Sequence, residues 1–172
     1  SAQQTVDQIT KSGGTALAIA CDVGFPEQIQ KAIDEVVQAW KNIDVLVNDA
    51  AMMTFTRVVE TTAAAWDHVM QVNIRGPFLF CKHAIPHMPQ HSAIVNVSSV
   101  HAHESEAGVA PYAASKGAME AFSRVLALDL EEQKVRVNCV APGAVDTPML
   151  WTTHNVKPGK EKIKGDVGAP ED

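Results

Sequence analysis

The chain has 172 residues, 46% of them hydrophobic, with 20 Asp and Glu against 14 Lys and Arg for a net charge of −6. That length and apolar content suit a single packed domain over 1–172, and the acidic excess argues against the clustered basic charge of a nucleic-acid or anionic-membrane binder. Lys41, Asp44, Arg57, Arg75, Lys82 and Arg124 interrupt every promising apolar run, so a soluble protein with no membrane partner is expected.

Residues 1–11 carry a polar pattern with Val6 and Ile9 on one side, a short helix closed by Gly13 and Gly14. Residues 15–23 read as a buried strand. Pro26 opens a second helix in which Ile29, Ile33, Val36, Val37 and Trp40 recur at helical spacing, and 43–47 is a further apolar strand. Residues 61–88 read as two helices joined near 72–74, and 93–97 is a β-branched run of the kind buried on both faces of a sheet. A helix over 111–133 with Ala118, Phe122, Val125 and Leu126 on one side precedes a strand over 135–140 that leads into Pro142-Gly143. Ser1 falls inside a helical pattern and 168–172 read as a helix start, so the fold is expected to be incomplete at both ends.

Four strands alternating with helices predict an α/β fold, a doubly wound parallel sheet of the Rossmann-like kind. In such sheets ligands bind beyond the carboxyl ends of the strands. Four segments hold that position: Asp22-Val23, Asn48-Asp49-Ala50-Ala51, Ser98-Ser99 and Pro142-Gly143-Ala144-Val145-Asp146-Thr147. The cysteines, Cys21, Cys81 and Cys139, are odd in number and set among apolar residues, which suits reduced thiols and a cytoplasmic location.

A tyrosine hydroxyl has a reference pKa of about 10 and needs a nearby positive charge to exchange protons near neutrality. Tyr112 and Lys116 in Tyr112-Ala113-Ala114-Ser115-Lys116 lie at i and i+4, on one face of a helix, where the ammonium would stabilise the phenolate. Such a phenol can act as general acid or base on a hydroxyl or carbonyl. Tyr112 is the chain's one tyrosine, and Ser99 thirteen residues upstream, at a strand end, could give the substrate oxygen a second hydrogen bond.

With these residues in this order, nearly the whole chain resembles the short-chain dehydrogenase/reductase family. Asn48-Asp49-Ala50-Ala51 resembles the family's Asn-Asn-Ala-Gly strand end, Asn73 in Val72-Asn73-Ile74 its helix asparagine, Ser99 its catalytic serine, and 112–116 its active-site signature. Pro142-Gly143 with Thr147 resembles the loop on the nicotinamide side.

The resemblance implies an NAD- or NADP-dependent alcohol dehydrogenase or carbonyl reductase acting on a small alcohol or ketone: a sugar, polyol, steroid-like alcohol or 3-oxoacyl thioester. It implies Tyr112 as acid/base, Lys116 as its electrostatic partner and ribose ligand, Ser99 as substrate anchor, and Asn73 as holder of a proton-relaying water. Asp22, Val23, Asn48 and Ala50 would line the adenosine half of the cofactor, and Pro142, Gly143, Val145 and Thr147 the nicotinamide end. Residues 151–165 would cover the substrate. The helices over 62–88 and 111–130 resemble the family's subunit contacts, which implies a homotetramer or homodimer.

Asp49 in place of the second Asn and Ala51 in place of Gly depart from the pattern and are expected to alter cofactor affinity. The glycine-rich turn that cradles the pyrophosphate, and the residue that separates NAD from NADP, would lie before Ser1, so the chain as written is expected to bind cofactor poorly. A non-catalytic dinucleotide-binding module, or a lyase or epimerase on the same scaffold, are the competing functions.

His83 and His87, four apart, and His101 and His103, two apart, could tempt a metal assignment, but neither pair comes with further ligands, and no metal is expected. His101 and His103 are better placed to line a substrate cleft. Met52, Met53, Met149, Leu150 and Trp151 follow strand ends and could wall it, with core packing the alternative for the first two. Strand alternation makes Ser98 structural.

Overall fold

In a computed structural model the described residues are 1–145. Thr147, Met149, Leu150, Trp151, the covering loop at 151–165 and the helix start at 168–172 lie outside them.

Helix α1 spans Ala2–Lys11 and ends at Ser12, followed by Gly13 at φ +83°. Helix α2 spans Pro26–Trp40, with Pro26 at its first position, where its missing N–H costs nothing, and Ile29, Ala32 and Ile33 on its buried face. Strand β1 is Val45–Asn48, helix α3 is Ala63–Met70 with Thr62 Oγ1 capping Ala65 N, and helix α4 is Gly76–Ala84. Strand β2 is Ala93–Val97, helix α5 Ala110–Asp129 and strand β3 Arg136–Val140.

The three strands form a parallel sheet in the order β1-β2-β3, with Asn48 opposite Asn96 and Asn96 opposite Cys139. Parallel neighbours need crossover helices, and these build the core: Ile33 of α2, Cys81 and Ala84 of α4, and Leu126 of α5 converge on Ile94, with Leu46 and Val137 packed alongside. The α/β class and the parallel sheet agree with the expectation.

Three details correct it. Residues 15–23 form no strand: nothing among the described residues pairs with them in a ladder, and Leu17 is 47% exposed. Apolar composition favours extended backbone, but only paired N–H and C=O groups make it a strand. The sheet therefore has three described strands, not four. The doubly wound class stands, but among the described residues the face that carries Val45 and Val47, 59% and 56% exposed, is left uncovered by the crossover helices.

The two helices expected over 61–88 are one continuous helical run, and their junction is a π turn over Gln71–Arg75. A π turn inserts one residue into the helical register and re-aims its neighbours, and it recurs at functional sites. Here it carries Asn73.

Candidate active site

Tyr112 lies in the first turn of α5, which Pro111 opens, and Lys116 lies one turn on. Both are buried, at 9% and 2% exposure, and Lys116 Nζ stands 5.5 Å from the Tyr112 ring centroid. The ammonium donates to the Val97 carbonyl at 2.7 Å, which ties it to the carboxyl end of β2. Burial pushes the Lys116 pKa down, while the carboxylate of Asp49 and then Cys139 push it up. Asp49, the departure at the β1 end, thus supports the buried cation electrostatically.

Asn73 is fully buried on the π turn. Its Oδ1 accepts from Met52 N at 2.8 Å, and its Nδ2 donates to Met52 O at 2.8 Å and to Ser115 Oγ at 3.0 Å. Ser115 Oγ in turn donates to the Tyr112 carbonyl at 2.7 Å. One side chain therefore clamps the segment after β1 against the turn of α5 that bears the catalytic pair. Both amide hydrogens go to protein atoms, so this side chain is a fastener.

Ser99, 7% exposed, follows β2 and accepts from His101 N at 3.3 Å, capping a 3₁₀ turn over Val100–Ala102. That bond uses an oxygen lone pair and leaves the hydroxyl proton to donate. Val100 N donates to Pro142 O at 2.9 Å, joining the Ser99 segment to the loop after β3. The His101 ring meets Tyr112 edge to face at 5.8 Å between centroids. His101 is half-buried against the phenol, as a cleft residue would be, whereas His103 is 65% exposed and pairs with Glu120.

The side chain of Asn48 faces the helix layer. It donates to Asn96 Oδ1 at 2.8 Å and approaches Cys81 Sγ at 3.5 Å, and Asn96 Nδ2 donates to Ser123 Oγ at 2.8 Å. What this strand end offers a dinucleotide comes from its backbone and from the exposed Asp49 and Ala50. Asp22 is exposed and its Oδ1 caps Gly24 N at 2.9 Å, while Val23 is half-buried against Gly76. Pro142 is half-buried, and Gly143 and Val145 are exposed. Met52 and Met53 are both half-buried, and Ser98 is buried and bonded within the protein, as expected.

Among the described residues no three His, Cys, Asp or Glu side chains stand together as a metal site, and no helix is long and apolar enough to cross a membrane. All three cysteines are free; Cys81 is buried, which pushes its thiol up to about 11, but Cys21 and Cys139 are only half-buried. Sequence reasoning missed Ser115, Asn96 and Glu120. The first adjoins Lys116 and the last lies four residues beyond it, but their partners come from distant segments that no local pattern announces.

The chain is similar to known proteins over most of its length. A family model described as enoyl-(acyl carrier protein) reductase matches residues 1–167. The chain is 39% identical over 168 residues to the NADPH-dependent aldehyde reductase 1, chloroplastic, of Arabidopsis thaliana, covering 95% of this chain and 57% of that one. It is 38% identical over 154 residues to the glucose and ribitol dehydrogenase of Daucus carota, covering 87% and 53%. A crystal structure of a dehydrogenase/reductase from Sinorhizobium meliloti 1021 superposes with a TM-score of 0.83 at 38% identity, over 86% of this chain and 59% of that one. The chain thus spans somewhat over half the length of these relatives.

Proposed function

The chain belongs to the short-chain dehydrogenase/reductase family, and on that premise we propose that it serves an oxidoreductase that moves a hydride between a secondary alcohol and a ketone. The observation that carries the reading is the buried Tyr112 and Lys116 pair, ring and ammonium 5.5 Å apart, at the carboxyl edge of a parallel sheet.

The donor set suits a nicotinamide cofactor. Lys116 gives one of three ammonium protons to Val97 O, and the other two are available for ribose hydroxyls. Asp22, Val23, the backbone at Asn48 and Ala50 would hold the adenosine half, and Pro142, Gly143 and Val145 the nicotinamide half, with Thr147 assigned by family pattern alone. Such a cofactor supplies the hydride acceptor and donor. The name of the aldehyde reductase relative favours NADP.

In the oxidation direction Tyr112 takes the hydroxyl proton as the carbon gives up its hydride, and in reduction it returns a proton to the carbonyl oxygen. The Lys116 ammonium, buried with the phenol and 5.5 Å from its ring centroid, places positive charge beside the group that exchanges the proton. Ser99 gives its free hydroxyl proton to the substrate oxygen. The relaying water is assigned to Asn73 by family pattern alone, since its side-chain amide hydrogens are engaged by Met52 and Ser115.

The names of two relatives favour an aldehyde, sugar or polyol substrate. Pairing of subunits through α4 and α5, as a homodimer or homotetramer, is supported by exposed Phe78, Val125 and Leu128. Free cysteines suit the cytosol.

The test is to incubate the whole protein with NAD and with NADP against a panel of sugars, polyols, alcohols and ketones, following nicotinamide absorbance. Cofactor-linked turnover of at least one compound is expected. Cofactor bound with no conversion would mean a binding module, and conversion without net absorbance change a lyase or epimerase.

A further inference from the structure

Glu120 lies one helical turn beyond Lys116 on α5, with its side chain 14% exposed. Its two carboxylate oxygens reach different segments: Oε1 accepts from Ser98 Oγ at 3.1 Å, and Oε2 lies 2.9 Å from His103 Nε2. Ser98 Oγ is also 3.1 Å from the Lys116 carbonyl, so its one hydroxyl proton is shared between two acceptors on α5. A largely buried carboxylate is costly unless its oxygens are bonded, and here both are.

Ser99 and His101 lie between the two anchors, Ser98 and His103. Ser99 is buried beside the catalytic helix and His101 sets its ring against Tyr112. The 3₁₀ turn at Val100–Ala102 fixes the local geometry of this segment, but by itself it does not set its distance from α5. The Lys116 bond to Val97 O holds its start and the Glu120 contacts hold it from Ser98 to His103.

We propose that Glu120 and His103 are positioning residues: one shared carboxylate holds residues 98–103 against α5 and thereby sets Ser99 and His101 relative to the Tyr112 phenol. The kinetic part of this inference rests on the oxidoreductase reading, whereas the geometric part does not. A small displacement of an aligned group costs rate steeply, so loss of either partner lowers kcat without loosening cofactor.

The test compares the whole protein with its Glu120→Ala, His103→Ala, double and Glu120→Gln variants, using two readouts. The first is the NMR shift of the His101 ring protons, which sit in the ring current of Tyr112. The second is kcat together with the cofactor Kd. Glu120→Ala and His103→Ala are each expected to move the His101 signals toward free-histidine positions and to lower kcat roughly 10-fold at unchanged Kd. The double variant should be no worse than the worse single one, and Glu120→Gln, which keeps the shape and one acceptor, should recover most of both effects. Unmoved His101 signals, or moved signals with kcat unchanged, would overturn the proposal. Wild-type protein that turns over nothing would defeat the oxidoreductase reading alone, and the His101 signals would still decide the geometric claim.

Discussion

Lys116 gives a proton to the Val97 carbonyl at 2.7 Å while its ammonium stands 5.5 Å from the Tyr112 ring centroid, so one buried cation joins the end of β2 to the phenol. The catalytic charge is held by the sheet as well as by its own helix. Asp49 at the end of β1 supplies the charge that favours keeping it protonated.

That arrangement fixes a sign. Burial lowers the Lys116 pKa from its ordinary 10.5 and Asp49 raises it again. Asp49→Asn removes the raising influence, so the alkaline limb of the kcat–pH profile, where the ammonium loses its proton, should move to lower pH. A limb that stays put or moves up would contradict the coupling. For stability, the folded state binds fewer protons than the unfolded chain between the lowered value and 10.5, so stability rises with pH through that interval and the burial penalty is full below it. Lys116→Met should remove this slope from urea titrations run at several alkaline pH values.

Asn73 is a fastener with three bonds and no exposure. Asn73→Ala would leave Met52 N and Met52 O, both only part-buried, without their partners and Ser115 Oγ with its Tyr112 bond alone, and each unpaired buried group costs about 1–3 kcal/mol. Some relaxation of the π turn offsets part of this, so a loss of roughly 3 kcal/mol in equilibrium denaturation is expected, with turnover falling as well. A loss under about 0.5 kcal/mol, the level of an ordinary surface change, would contradict the clamp.

Gly76 follows the π turn where the chain passes Val23. A methyl group there would stand 2.9 Å from the Val23 carbonyl oxygen and 3.3 Å from its Cβ, and backbone cannot swing aside as a flexible side chain can. Gly76→Ala should cost about 1–3 kcal/mol by overpacking and, by displacing the Asp22-Val23 edge, raise the cofactor Kd more than it lowers kcat. Calorimetric cofactor binding with an unchanged Kd would remove Val23 from the proposed groove.

Much of this was legible in the sequence for physical reasons. The run at 93–97, β-branched at Ile94, Val95 and Val97, became β2 with the same bounds, and Pro26 and Pro111 marked helix starts because proline loses nothing there. The pair at 112 and 116 was readable because helical periodicity alone puts both residues on one face. Residues 15–23 misled because composition reports a preference for extended backbone but not the presence of a ladder partner. The inward turn of Asn48 toward Asn96, 48 positions away, and the bonds of Glu120 to Ser98 and His103 depend on strand register and helix docking, which no local pattern encodes.

The most direct measurement of the central claim is turnover and cofactor binding by Tyr112→Phe in the whole protein. The ring is kept, so its edge contact with His101 and its packing against Lys116 remain, and only the hydroxyl is lost. General acid–base groups contribute about 10²–10⁴-fold. A kcat reduced by at least about 10²-fold is expected, with cofactor Kd within about 2-fold of wild type. A Tyr112→Phe protein that turns over at close to the wild-type rate would contradict the claim.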